Sequence, residues 1–116
     1  MSHTTITAGY VAPAVVALHD AATIAVDASL GNDFRVTIEG NRAIANPSKP
    51  VDGQRITFQI TQGSAGKRSV TWGGQYDFGA AGPPKLSATG GATDVIGFIY
   101  NAAMGSWLCV GSALGF

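Results

Sequence analysis

The stretch FRVTIE at residues 34–39 decides the fold class, because it alternates apolar and polar side chains without a break. Successive side chains of a β-strand point to opposite faces, so the segment predicts a strand with one buried and one hydrated face. The stretch QRITFQIT at residues 54–61 repeats the pattern. The side chains expected on the buried face are Phe34, Val36, Ile38, Ile56, Phe58 and Ile60.

Shorter segments elsewhere also favour strands, and turn residues separate them about every 8–12 positions. These further predicted strands are 22–27, 42–45, 68–72, 75–78, 86–88, 94–100 and 106–110. The segment 94–100 is apolar on both faces, which predicts a strand at the centre of a sheet or covered on both sides. No helical pattern is long enough to supply crossovers between parallel strands. We therefore expect an all-β fold, an antiparallel β-sandwich with a jelly-roll-like arrangement.

The start of the chain differs from the rest and predicts an extended N-terminal arm. At 116 residues the length fits one domain, which we place at 23–116 after an arm at 1–22. Pro13 disfavours a central strand, so the apolar stretch 10–18 is interpreted as an arm or edge strand, with a short helix near Pro13 as the alternative. The arm residues expected to contact another subunit or a capsid are Tyr10, Val11, Val15, Val16 and Leu18.

Charge and composition exclude several classes of partner. The formal net charge is zero, although residues 35–68 carry six Lys and Arg side chains against two carboxylates. We interpret these cations as hydrated strand faces that prevent edge pairing, and expect no nucleic-acid partner because a strong basic excess is missing.

Cys109 is the only cysteine, so it is expected to be a buried, inert thiol. No signal peptide or spanning segment is visible, which predicts a soluble protein without a membrane partner.

No arrangement of residues predicts catalysis, so we expect no enzyme activity, no catalytic residue, no cofactor and no metal. The two histidines, His3 and His19, have no accompanying set of metal ligands, and the Gly-x-Ser-x-Gly pattern of hydrolases is missing. Most carboxylates fall at turns, where Asp commonly bonds the backbone. A glycosidase or esterase is the alternative that two carboxylates facing each other across a cleft would support.

The aromatic residues 72–78 offer a possible recognition surface. Trp72 shares its strand face with Val70, which predicts burial in the core. Tyr76 lies between two glycines and an aspartate, so we expect it to be exposed. If the protein recognises a cell-surface glycan, the expected contacts are Tyr76, Asp77 and Phe78.

From Asp27 onward the chain resembles a small β module of tailed-bacteriophage structural proteins. The matching stretches are Asp27–Thr37, Asn46-Pro47 followed by Asp52–Gln54, Arg68–Trp72, and Asp94–Tyr100 followed by Trp107. Such modules form C-terminal domains of tail-fibre proteins and free-standing fibre or decoration proteins on phage heads. The resemblance implies a jelly-roll-like sandwich, a homotrimer and no enzymatic activity.

The short arm distinguishes the two kinds of phage protein. Tail-fibre relatives carry the module after a long shaft, whereas residues 1–26 are too few for one at about 3.3–3.6 Å per residue. The leading expectation is a capsid decoration or head-fibre protein, assembled in the host cytoplasm and placed on the virion surface as a homotrimer. Its partners would be its own copies and the major capsid protein or another virion protein. The alternative is a tail-fibre or tail-tip module that binds a host surface glycan, and an excised fragment is also consistent with the sequence.

Overall fold

The computed structural model describes residues 14–116, and these fold into strands with two short 3-10 turns at Ala28–Leu30 and Gly79–Ala81. This confirms the predicted all-β class. The strands are β1 Val15–Ala17, β2 Thr23–Ile24, β3 Asp33–Ile38, β4 Arg42–Ile44, β5 Arg55–Gln62, β6 Val70–Trp72, β7 Tyr76–Asp77, β8 Thr93–Asn101 and β9 Ser106–Ala113.

The strands form two sheets, and the chain alternates between them from β1 to β7. The large sheet has the order β1-β3-β5-β8-β9-β7, and the small sheet has the order β2-β4-β6. Strand β8 lies between β5 and β9, so the predicted central position of the 94–100 segment is confirmed. Over residues 14–116, no helix is long and apolar enough to span a bilayer.

The expected antiparallel pairing is wrong for five of the seven strand pairs of the described chain, one of which joins β7 to β9 in parallel. Strands β1, β3 and β5 pair in parallel, as do β2, β4 and β6. Parallel strands need a crossover, and the expectation assumed that only helices could provide it. Here the crossover from each strand to the next one in its sheet passes through a strand of the other sheet. Among the described residues, antiparallel pairing joins only β5 to β8 and β8 to β9.

Both sheets contribute side chains to a single hydrophobic core, as the alternating patterns predict. The ring of Phe58 in β5 lies 5.6 Å from Trp72 of the small sheet and 5.8 Å from Phe98 in β8. The same cluster includes the buried Ile24 and Ile44 of the small sheet. Partly buried side chains pack around it, and they include Trp72, Phe78, Leu86 and Cys109.

The described part of the predicted arm, residues 14–22, supplies β1 at the edge of the large sheet and contains no helix. Val16 is in register with Phe34, so its side chain points towards the core. The side chain of Val16 also lies close to the backbone of Gly31. A glycine is needed there, because a Cβ at Gly31 would lie only 2.9 Å from Cγ2 of Val16.

The predicted strand at 86–88 is wrong. Leu86 packs against the core, but the backbone of Ser87 donates to the side chain of Asp94 instead of joining a sheet. Alternating polarity in three residues is too short a signal to distinguish a strand from an irregular segment that buries one side chain.

Candidate interaction surfaces

The face of the large sheet that points away from the core divides into a polar and an apolar half. In β8 the buried Ile96 and Phe98 alternate with Val95 and Ile99, which point outward and are only partly covered. Ile99 is paired with Leu108 of β9, so these side chains lie side by side. We call Val95, Ile99, Leu108 and Val110 the outer apolar face.

A β-bulge places Val110 on this face. The register of β8 and β9 shifts between Gly97 and Phe98, which leaves Val110 as the extra residue. A Cβ at Gly97 would lie 3.5 Å from Cγ2 of Val110, so the valine covers the position where Gly97 lacks a side chain. Val110 is 61% exposed and adjoins the partly exposed Ile99 and Leu108, so the exposed apolar area is contiguous, as at a contact surface.

The polar half lies on β3 and β5, where side chains satisfy one another. Nη2 of Arg35 lies 2.8 Å from Oδ2 of Asp33, and Gln59 donates to the same carboxylate at 3.3 Å. The hydroxyl oxygens of Thr61 and Thr93 are 2.7 Å apart. Because these groups already have partners, the polar half has less need of a second molecule than the apolar half.

The arm residues expected at an interface separate into two sets. Val15 points away from the core and is 54% exposed, so it is available to a second molecule. Val16 and Leu18 pack against the core of their own subunit, which limits what they can offer to another chain. Tyr10 and Val11 lie outside the described residues.

The expectation that Tyr76 is exposed is wrong, because it is 6% exposed and its hydroxyl donates to the carbonyl of Ala45 at 2.8 Å. Burial raises the pKa of the Tyr76 phenol well above its ordinary value, so the group stays neutral. Phe78 lies 5.3 Å from the ring of Trp72 and belongs to the edge of the core. Asp77 alone of the three predicted glycan contacts is fully at the surface, where it accepts from the backbone of Gly79 at 2.8 Å.

Several carboxylates bond the backbone, which confirms the interpretation made from their positions at turns. Asp27 accepts from the backbone of Ser29, and Asp52 accepts from that of Ala102, each at 2.9 Å. Asp20 receives two hydrogen bonds from Arg42 at 2.7 and 3.0 Å, and these lower the pKa of its carboxyl group. In the part of the chain from residue 14 onward, no three His, Cys, Asp or Glu side chains come together as a metal site would require.

A pocket of about 340 Å³ lies between the start of β6 and the segment 84–88, and the sequence patterns did not reveal it. Lys67, Arg68 and Lys85 line it together with apolar side chains. The local excess of positive charge in residues 35–68 is the only sequence signal that points here, and Lys85 lies outside that range. We call this feature the basic pocket.

Comparison with known proteins does not assign this chain to a family. Protein-family models, curated protein sequences and solved structures give no match. The resemblance to phage modules therefore remains a prediction.

Proposed function

We propose that this chain is a non-enzymatic structural protein of a tailed-phage virion, a capsid decoration or head-fibre protein that acts as a homotrimer. The observation that carries the proposal is the outer apolar face, where an exposed Val110 joins three partly exposed apolar neighbours. A protein that acts through contact with other molecules needs an exposed apolar face, whereas the stability of its own fold does not require one. The phage resemblance supplies the identity of the assembly.

The proposal includes a sandwich architecture. Support comes from the single core shared by the two sheets, with Phe58 of one sheet packed against Trp72 of the other. The jelly-roll-like arrangement is what the resemblance implies, and the parallel pairing of the first six strands departs from it. The sandwich is therefore the part of the expected architecture that the proposal needs.

The outer apolar face supports self-association by burial of apolar area. Burying one valine or leucine side chain contributes about 1.5–3 kcal/mol before the costs of association are subtracted. A stable interface covers about 800 Å² on each partner, more than four side chains provide. We propose that Val15, on the far side of the polar half, supplies a second contact that closes a three-fold arrangement, together with the arm residues Tyr10 and Val11.

Three linked copies would bind a capsid with avidity, since each further contact of the trimer is made at high effective concentration. Quantitative mass spectrometry of purified virions tests this placement. The protein is expected at a copy number proportional to that of the major capsid protein. Absence from virions, or a copy number equal to that of tail proteins, would contradict the capsid assignment.

Substitution of Val110 by lysine tests the trimer. A charge on the outer apolar face would have to be buried unpaired in the interface, so we expect Val110→Lys to dissociate the trimer at micromolar concentration. Light scattering should give three times the 11.8 kDa chain mass for the parent protein and the chain mass for the variant.

The matched control is Val51→Lys, which changes a comparably exposed valine in the loop between β4 and β5. It should leave the trimer intact. A parent protein that is a stable monomer, or equal dissociation by both variants, would remove the trimer from the proposal.

The alternative, recognition of a host glycan through the loop after β6, is not supported by the positions of its residues. Tyr76 is buried, and Phe78 packs against Trp72 and Phe98. Asp77 alone does not provide the stacked aromatic surface that motivated the alternative. We therefore do not propose this loop as a receptor site.

A further inference from the structure

We propose that the basic pocket binds an acidic saccharide, a sugar that carries a carboxylate such as a uronic acid. Lys67 and Arg68 lie on one side of the pocket and Lys85 lies on the other. No carboxylate is among the residues that line it. The pocket volume of about 340 Å³ falls at the small end of the range of ligand sites, about 300–1,000 Å³.

None of the three pocket cations has a carboxylate of the described chain within ion-pair distance, a property they share with Arg55 on the outside of the large sheet. Arg35, Arg42 and Lys49 each lie within 3.5 Å of an aspartate. By contrast, Nε of Arg68 is buried without a hydrogen-bond partner in the structure. Because solvent does not reach this Nε, a ligand carboxylate would meet the other donors of the pocket, the terminal nitrogens of Arg68 and the two lysine ammonium groups, through charge-assisted hydrogen bonds.

The backbone around the pocket is held in place by hydrogen bonds on both of its sides. The buried Gln62 accepts from the backbone N–H of Arg68 at 3.1 Å and donates to its carbonyl at 2.8 Å. The backbone N–H of Lys67 donates to the carbonyl of Ala88 at 2.7 Å, which joins the two sides of the pocket. A site with a fixed backbone loses less conformational entropy when it binds.

The apolar part of the lining favours a saccharide over a nucleic acid. Val70, Pro84 and Leu86 line the pocket beside the cations, and Leu86 is anchored against the core. These side chains can contact the apolar C–H face of a sugar ring while the cations meet its carboxylate. Single-stranded nucleic acids are bound mainly by stacking on aromatic side chains, and the lining contains none.

Titration of the isotope-labelled full chain with a tetrasaccharide of galacturonic acid tests the proposal. We expect amide NMR shifts to change at residues 67–70 and 84–88, and we expect no change with the carboxyl-reduced, neutral tetrasaccharide. Arg68→Gln should weaken binding at least tenfold. Arg55→Gln, which removes an exposed arginine from the outside of the large sheet, should change affinity less than twofold.

Lys85→Gln provides a second variant, because Lys85 is exposed and its replacement should leave the fold unchanged. It should also weaken binding. Equal shifts with the neutral sugar, equal losses for Arg68→Gln and Arg55→Gln, no shifts at all, or tighter binding of a single-stranded oligonucleotide would each overturn the proposal. The Val110→Lys protein should bind as the parent does, so failure of the trimer and failure of this site are distinguishable.

Discussion

Asp94 shows how one buried carboxylate joins three segments of the chain. It is 2% exposed and accepts hydrogen bonds from the backbone and hydroxyl of Ser87 and from the backbone of Gly115. A hydrogen bond to a charged group contributes about 1.5–3 kcal/mol to the free energy of unfolding. Losing such a bond inside a protein leaves its donor without a partner. Asp94 therefore holds the segment after the basic pocket and the end of the chain against β8.

We expect Asp94→Asn to lower the free energy of unfolding by about 2–3 kcal/mol, because the amide NH₂ would face a backbone donor. Urea unfolding followed by circular dichroism measures the change. Asp77→Asn is the control, since this exposed residue at the end of β7 accepts one backbone hydrogen bond and its replacement should have little effect. Similar losses in the two variants would contradict the role assigned to Asp94.

Tyr76 illustrates what residue-level patterns fail to predict. Its neighbours in sequence, two glycines and an aspartate, are typical of a loop, and from them exposure is the natural expectation. Its hydroxyl partner, the carbonyl of Ala45, lies 31 positions earlier in the chain. Local composition carries no information about such a partner, whereas the turn roles of Asp27 and Asp77 depend on neighbours two residues away and were predictable.

At the scale of elements, two glycine-containing turns interlock beside the basic pocket. Gly66 has a φ of +65°, and a Cβ there would meet the carbonyl oxygen of Ala88 and lie 2.8 Å from the backbone nitrogen of Gly90. A Cβ at Gly90 would in turn meet the carbonyl oxygen of Ser64. Both contacts are with backbone, so neither turn can accept a side chain without moving the other.

We therefore expect Gly66→Ala to cost more stability than a positive φ alone explains. A left-handed backbone costs a residue with a Cβ about 1–2 kcal/mol, and the contact with the second turn adds to this. Gly53→Ala is the matched control, because Gly53 has a φ of +81° and open space around it. Thermal unfolding should show that Gly66→Ala lowers the free energy of unfolding about twice as much as Gly53→Ala does. Equal decreases would contradict the proposed contact between the two turns.

The strands with the clearest alternation were predicted well, and their partners were not. Residues 34–39 and 54–61 correspond closely to β3 and β5, because a period of two residues reports the burial of one face. The same period reports nothing about which strand lies alongside. The parallel register of Phe34 with Phe58 depends on the crossover through β4, and turn residues alone do not indicate that the chain enters a second sheet there.

At the scale of the whole molecule, the shared core predicts that the two sheets unfold together. Trp72 lies in the small sheet, whereas the fully buried Trp107 lies in the large sheet. The ring of Phe58 in the large sheet lies 5.6 Å from that of Trp72 and so links the two sheets, and Trp107 belongs to the same core cluster. A core that is continuous in this way is typical of a cooperative transition.

Single-tryptophan variants measure this directly. In Trp107→Phe the fluorescence of Trp72 reports the small sheet, and in Trp72→Phe the fluorescence of Trp107 reports the large sheet. Within each variant, at one protein concentration, the fluorescence and circular dichroism midpoints in urea should coincide. Fluorescence of Trp72 that changes at lower urea than the circular dichroism signal would show a small sheet that melts separately.

Both proposed surfaces depend on residues that the fold brings together from distant parts of the sequence. The bulge that exposes Val110 is a property of the β8–β9 register, and the basic pocket joins Lys67 and Arg68 to Lys85 across two turns. Sequence patterns predicted most of the strands and led to the expectation that the protein acts through surface contact. The positions of the two surfaces, by contrast, follow from strand pairing and side-chain packing.

The pairing of β5 with β8 has a consequence for how the chain is made. Strand β5 ends at Gln62 and its antiparallel partner β8 ends at Asn101, so the ribosome must add the intervening residues before this ladder can close. At about 5–20 residues per second, the growing chain exposes an unpaired β5 edge for roughly 2–8 s. Nascent copies on one messenger are therefore exposed to mispairing with each other at this strand, and slower translation of residues 63–101 would lengthen that interval.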